Sequence, residues 1–396
     1  MKLTYKTTIF SCFTGYVVQA IVNNFLPLLL VTFQKTYAIA LEQITLLVSL
    51  NFGIQLLVDL MASKYVDRIG YRTSILIAHG TAAAGLILLT FLPEIIDPFT
   101  GILLSVAVYA IGGGIIEVLI SPIMEGCPTD NKEKAMSLLH SFYCWGHVAV
   151  VLVSTLFFHI FGMESWRFIA LGWAVIPLVN GILFAKAPIT PPVPPEETNM
   201  SLKALFTNKI FWLLMIMMVC SGASEQAVSQ WASAFAEQGL GISKAAGDLA
   251  GPMVFAILMG SSRAFYGKSG ERISLDRFMI LSSCLCIGAY LLASLTGSVV
   301  LSLIGCGLCG LSVGIMWPGT FSKAAVSLRA GGTAMFAMLA LAGDLGCSGG
   351  PALVGLVSGI AGENLKLGIF AATIFPAILI ICLFLFMKNQ NGETPK

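Results

Sequence analysis

Five carboxylic acids lie inside long apolar runs of this sequence: Asp59, Glu117, Glu125, Glu225 and Asp344. An ionised side chain at the middle of a bilayer-spanning helix costs on the order of 3 kcal/mol, so each acid needs a partner, a wet cavity or a proton. Reckoned from run midpoints at about 1.5 Å of rise per residue, Asp344 falls near the centre. Glu117 and Glu225 lie slightly to opposite sides of it, and Asp59 and Glu125 fall near run ends. No Lys or Arg occurs in a run at the depth of Glu117. A carboxyl so placed can take and release a proton as access alternates between the two sides. The next run is antiparallel and brings His140 and Tyr143 to comparable depth. Glu117, His140 and Asp344 are therefore the expected coupling groups.

A second chemistry is recognition of hydroxyl groups. Glu225 stands with Gln226, Gln230 and Trp231: acid and amides bond hydroxyls bidentately, and a ring packs on the C–H face of a sugar. Tyr16, Gln19 and Asn23 recur at i, i+3 and i+7, a single polar stripe on an apolar helix, with Asn24 beside it. Trp317 precedes Pro318 and is expected to form a platform at a helix break. Gln19, Asn23, Asn24, Tyr143, Glu225, Gln226, Gln230, Trp231 and Trp317 form the expected substrate-binding set, with interhelical hydrogen bonding the competing use of each amide.

The elements that must position these residues follow from composition. The chain has 396 residues, 57% hydrophobic and only 11% charged, with mean hydropathy +0.89. A soluble domain carries about 25% charged residues, so the expected environment is a bilayer. The net charge of +2, without a basic run, excludes a nucleic-acid partner. All ten cysteines lie in or beside apolar runs without metal-ligand spacing, so no metal is expected. At about 20 apolar residues per crossing the sequence predicts twelve spans, from 9–33 to 365–387. With the N-terminus inside, eighteen of the 22 Lys and Arg fall in cytoplasmic segments. The expectation is an all-α membrane protein, both termini cytoplasmic, multi-pass in the plasma or inner membrane.

A Pro-rich stretch, 187–197, splits the spans six and six. Each half repeats a basic turn after its second span: Asp67-Arg68-Ile69-Gly70-Tyr71-Arg72, and Arg263 to Lys268 with Glu271 and Arg272. That predicts a duplicated transporter whose halves rock about a midplane site. The predicted domains are a bundle over 1–186, a cytoplasmic linker over 187–208 and a bundle over 209–396.

On these residues the whole chain resembles the major facilitator superfamily, which implies two six-helix bundles. It also implies a cytoplasmic gate of Asp59, Asp67, Arg68 and Arg72 that locks through charge pairs; Ser63 stands where the family turn usually begins with Gly. Three further segments are similar to the fucose/galactose/glucose proton symporters: Glu117-Val118-Leu119-Ile120-Ser121-Pro122, Leu138 to Gly146, and Gly222-Ala223-Ser224-Glu225 with Trp231. Asn23-Asn24 departs from that family's Asn-Asp pair, so the coupling ion is a proton or, in the alternative, sodium. The implied function is ion-coupled import of a sugar or similar polyhydroxylated solute by a monomer.

Two other readings remain. The exporters of this superfamily carry a Gly-Pro-rich motif in helix five, where this chain has Gly146-His147-Val148-Ala149-Val150-Val151, and a receptor of the same fold would bind without carrying. An enzyme is not expected, because neither HExxH nor GxSxG occurs. The absence of GxxxxGK[ST] argues against direct use of ATP, and no cofactor is expected.

Overall fold

A computed structural model describes residues 4–128, 132–190, 200, 202–269, 273–328 and 331–392. The side chains of 62–65, 67–68, 125, 132–137, 202, 267–269, 325, 332–334, 336–337 and 390–392 lie outside the description. Asp67 and Arg68 of the expected gate, and Glu125, are among these.

Among the described residues, twelve helices are long and apolar enough to span a bilayer. They are α1 (Tyr5–Tyr37), α2 (Leu41–Met61), α3 (Tyr71–Ile95), α4 (Pro98–Met124), α5 (Leu138–Phe161) and α6 (Met163–Lys186), then α7 (Lys209–Gly239), α8 (Lys244–Tyr266), α9 (Leu275–Leu295), α10 (Val299–Ala324), α11 (Met338–Ile360) and α12 (Leu365–Asn389). No strand occurs among the described residues. Backbone groups in hydrocarbon must bond within their own segment, which is why the apolar runs resolve as helices.

The chain forms two compact units, Met1–Pro195 with Ser243–Leu249, and Glu196–Ile242 with Ala250–Lys396. Assignment of the first turn of α8 to the first unit differs from the sequence boundary. In that turn the Asp248 carboxylate accepts from Lys244 Nζ at 3.0 Å and from Thr155 Oγ1 on α5 at 3.3 Å. Helix pairing repeats between the units. In the first, α1 packs on α5 and α6, α2 on α4, and α3 on α4; in the second, α7 packs on α11 and α12, α8 on α10, and α9 on α10. That repetition is the structural form of the duplication.

Small residues set the helix spacing. A Cβ on Gly112 of α4 would lie 2.5 Å from Ala78 O and 2.6 Å from Ala82 N of α3; one on Gly346 of α11 would lie 2.0 Å from Val219 O of α7. Backbone meets backbone at these points, as at small-residue interfaces generally in membranes. Between α1, α3 and α6, Asn180 Nδ2 donates to Ser11 O at 3.0 Å and to His79 Nε2 at 2.8 Å, while His79 Nδ1 donates to Ile75 O at 2.8 Å.

Arg72 of the expected gate lies at the start of α3. Its described contacts are with carbonyls at the end of α6: Nη1 donates to Phe184 O and Ala185 O at 2.7 Å, and Nη2 to Ala187 O at 2.8 Å. The last carbonyls of a helix have no intrahelical partner, and a cation there complements the helix dipole. The chain leaving α6 is further held by Thr8 Oγ1 on Pro188 O at 2.6 Å, and by Tyr5 against Thr190 at 2.6 Å.

Two outcomes are expected in thermal unfolding of purified protein. Gly346→Ala should lower the midpoint through an overpacking cost of about 1–3 kcal/mol, because its obstacle is backbone. Arg72→Gln should cost on the order of 2 kcal/mol, with Arg72→Lys intermediate because it keeps the charge and loses the fork. Unchanged midpoints would remove these roles.

Candidate functional site

In the first unit the polar stripes of α1 and α2 face each other and meet α4. Gln19 Nε2 donates to Glu117 Oε2 at 2.9 Å and to Gln55 Oε1 at 2.8 Å. Gln55 Nε2 donates to Asn23 Oδ1 at 2.8 Å, and Asn51 Nδ2 reaches the same oxygen at 3.1 Å. Gln19, Asn23, Asn51 and Gln55 are all buried, and Glu117 is partly exposed. Glycine again permits the approach: a Cβ on Gly113 would lie 3.2 Å from Gln19 Oε1, and one on Gly114 3.0 Å from Gln55 Cα.

The expected residues of α5 arrive on the same stripe of α1. Tyr143 Oη accepts from Asn24 Nδ2 at 3.3 Å, the ring of His140 lies 5.1 Å from that of Tyr16, and Tyr16 pairs with Ser121 at 3.2 Å. Phe13 stacked on Phe142, with centroids 4.4 Å apart, sets the register of α1 against α5. Asp59, expected in the gate, is buried one turn beyond Gln55 on α2.

Asn51 and Gln55 were not anticipated. The signal was present: Asn51, Gln55 and Asp59 recur at i, i+4 and i+8, one face of an apolar helix.

The α1 helix is interrupted where this stripe ends. The α-helix stops at Asn24 and a 3-10 turn runs over Leu26–Leu29. Pro27 cannot donate to the preceding turn. In the second unit α7 likewise breaks at its polar cluster, with a turn at Gln230 and Trp231.

There the electrostatics differ. Glu225 Oε2 pairs with Arg263 Nη2 at 3.1 Å, Glu225 Oε1 accepts from Gln226 at 3.3 Å, and Gln226 Oε1 accepts from Gln230 at 2.9 Å. Arg263 was expected in a cytoplasmic turn, yet it belongs to α8, and its long side chain reaches Glu225 and donates from Nε to Gly314 O at 3.3 Å. That carbonyl sits at the interruption of α10, where the helix ends at Val313 and resumes at Met316. Lys323 is buried in α10 against Asp276 and lies 4.7 Å over the ring of Phe386.

Trp231 corrects another expectation. It is wholly enclosed, with Nε1 donating to Pro351 O at 3.0 Å, so its ring offers no face to a solute. Trp317 stands near the break in α10 and is partly exposed; its ring occupies the space a Cβ on Gly343 would fill, 2.1 Å away. Asp344 follows that glycine and is buried. Among the described residues no cluster of His, Cys, Asp and Glu could hold a metal ion.

Twelve spans in two pseudo-repeated units, each carrying buried polar groups beside a broken first helix, define a membrane transporter. The chain belongs to the Major Facilitator Superfamily, whose family model matches residues 9–351; these proteins are transporters, not enzymes. No curated protein sequence matches it. Among solved structures it is similar to a D-xylose-proton symporter, with TM-score 0.79 and 11% identity over 96% of this chain and 97% of that one. It is also similar to a bacterial homolog of the human lysosomal transporter Spinster in an inward-facing, occupied conformation, with TM-score 0.74 and 14% identity over 96% of each chain. These identities establish the fold alone.

Breaking the Glu225 pair tests the site's second half. Glu225→Ala should destabilise by about 2 kcal/mol, because it removes the carboxylate that pairs with the partly buried Arg263 guanidinium, and Glu225→Leu with Arg263→Met should recover most of the loss. A double variant no more stable than Glu225→Ala would show that the pair is not what holds α7 to α8.

Proposed function

We propose that this protein is a secondary active transporter that imports a sugar or similar polyhydroxylated solute by ion-coupled symport, with Glu117 as the coupling carboxylate and a proton as the first candidate ion. The observation that carries the reading is the bond from Gln19 Nε2 to Glu117 Oε2 at 2.9 Å. It ties the coupling acid to the amides of α1 and α2, so a change of charge at Glu117 alters how those amides can bond a solute. With a carboxylate, Gln19 is held as a donor toward α4; with a neutral acid, that hold weakens and the amide is freer to meet a hydroxyl.

Gln19, Asn23, Asn24 and Tyr143 in the first unit, and Glu225, Gln226, Gln230 and Trp317 in the second, form the proposed substrate set. Asn and Gln amides offer both donors and acceptors, which suits hydroxyl groups that are themselves both. His140 and Asp344 are the proposed secondary coupling groups, and Asp59 with the Asp67 to Arg72 turn the gate. Similarity in fold to a xylose-proton symporter supports import, as does the likeness of the α4, α5 and α7 segments to the fucose-type symporters. The proposed setting is the plasma or inner membrane, with a monomer whose two termini are cytoplasmic.

Proteoliposomes with imposed gradients and a hexose panel provide the test. A solute should accumulate only when an ion gradient is applied. Glu117→Gln should abolish accumulation, by at least about tenfold, while leaving exchange of internal for external solute. Concentrative uptake that survives this substitution would discard the coupling role, and solute movement in the outward direction alone would favour an exporter.

A further inference from the structure

Among the buried amides of the first unit, Gln55 stands between two others. Its Oε1 accepts from Gln19 Nε2 at 2.8 Å, and its Nε2 donates to Asn23 Oδ1 at 2.8 Å. Gln19 and Asn23 are one turn apart on α1. A single α2 side chain therefore bonds two successive positions of the polar stripe, one through each end of its amide. Beyond them, Gln19 Nε2 also donates to Glu117 Oε2 at 2.9 Å, and Asn51 Nδ2 donates to Asn23 Oδ1 at 3.1 Å. The bonds run in one unbroken series from Glu117 through Gln19, Gln55 and Asn23 to Asn51.

An amide has a donor end and an acceptor end, so a series of this kind has a direction. Glu117 Oε2 accepts, and Gln19 presents nitrogen to it. That nitrogen takes an oxygen from Gln55, which leaves Gln55 its own nitrogen for Asn23, and Asn23 answers with oxygen. Turning Gln55 over by itself would set nitrogen against Gln19 Nε2 and oxygen against Asn23 Oδ1, and both bonds would be lost. Glu117 thus settles, through Gln55, which way the amide of Asn23 is turned. Gln55 is also held where it stands. It is 1% exposed, and α4 closes on it through two glycines: a Cβ on Gly114 would lie 3.0 Å from Gln55 Cα, and one on Gly113 would lie 3.3 Å from Gln55 Cδ. Asn51 shares the oxygen of Asn23 and, among the described residues, has no bond to Gln19.

We propose that Gln55 is the positioning residue that links the coupling acid to solute recognition, carrying the hydrogen-bond direction set at Glu117 through Gln19 to Asn23. The proposal rests on the coupling role given to Glu117 and adds the route by which that role reaches the recognition amides. Gln55 itself touches neither ion nor solute. When Glu117 ceases to accept from Gln19, whatever else it bonds, the series loses its fixed direction and the amide of Asn23 can reverse. Without Gln55 the two events become independent, and solute crosses with or without the ion.

The test is transport of labelled hexoses by the full-length protein in proteoliposomes, read as two quantities: accumulation under an imposed proton gradient, and exchange of internal for external hexose with no gradient. Gln55→Met fills the space and removes both bonds; it should lower accumulation at least about tenfold, the scale of one hydrogen bond, while exchange continues. Asn51→Leu removes one bond to Asn23 and leaves Gln19 joined to Glu117. It should raise the hexose concentration for half-maximal exchange about tenfold and leave accumulation at saturating hexose unchanged. Gln55→Met added to Glu117→Gln should lower accumulation no further than Glu117→Gln does by itself, because the two act in one series. Gln55→Asn, one methylene short of bridging both partners, and Asn51→Ser stand in for either variant that does not fold. Full accumulation in the Gln55 variant overturns the proposal, as does equal loss of accumulation in the Gln55 and Asn51 variants, which a purely structural role would give. Loss of accumulation in Glu117→Gln with retention in Gln55→Met removes the positioning role and leaves the coupling role. Concentrative uptake that survives Glu117→Gln removes both, and a parent protein that accumulates no hexose removes the transport reading itself.

Discussion

A polar group within a membrane-spanning bundle has no bulk water to fall back on, and its partner must come from another helix at hydrogen-bond distance. In the first unit Gln19 is where this constraint is most sharply felt. One amide nitrogen serves both the α2 amide of Gln55 and the α4 carboxylate of Glu117. Short side chains can bridge helices only if the backbones come close, and Gly112, Gly113 and Gly114 in α4 remove the side chains that would hold α1, α2 and α3 away. The spacing of three helices and the chemistry of the site are thus set by the same residues.

The two units share their helix pairing and differ in how they neutralise acid. Glu225 is answered by the guanidinium of Arg263, which also takes up the carbonyl freed at the interruption of α10. Glu117 accepts from the amide of Gln19. In the second unit the pair forms a strut between α7, α8 and α10.

Outside these clusters, charged residues fasten helix ends. Arg72 gathers the last carbonyls of α6. Tyr37, Glu94 and Arg167 tie the ends of α1, α3 and α6, with Tyr37 Oη donating to Glu94 at 3.0 Å and accepting from Arg167 at 3.2 Å. Asp97 caps α4 by accepting from the Thr100 backbone N–H at 2.9 Å, and that bond to its charged form lowers its carboxyl below the usual value.

Run length, loop composition and the repeated basic turn determined the twelve helices and the duplication, because each of these is a property of contiguous sequence and of the thickness of hydrocarbon. The stripe of Tyr16, Gln19 and Asn23 was equally legible, since helical periodicity assigns residues to one face. What faces that stripe was decided only in three dimensions. Asn51 and Gln55 lie some thirty residues away along the chain from Gln19 and Asn23, and nothing in a spacing states which two faces meet. Arg263 read as a turn residue because a count of charges has no knowledge of reach; packing turned its long side chain inward to Glu225. Trp231 read as a platform for a solute and proved to be a packing residue, because whether a ring is covered depends on the helix opposite it, here α11 through Pro351.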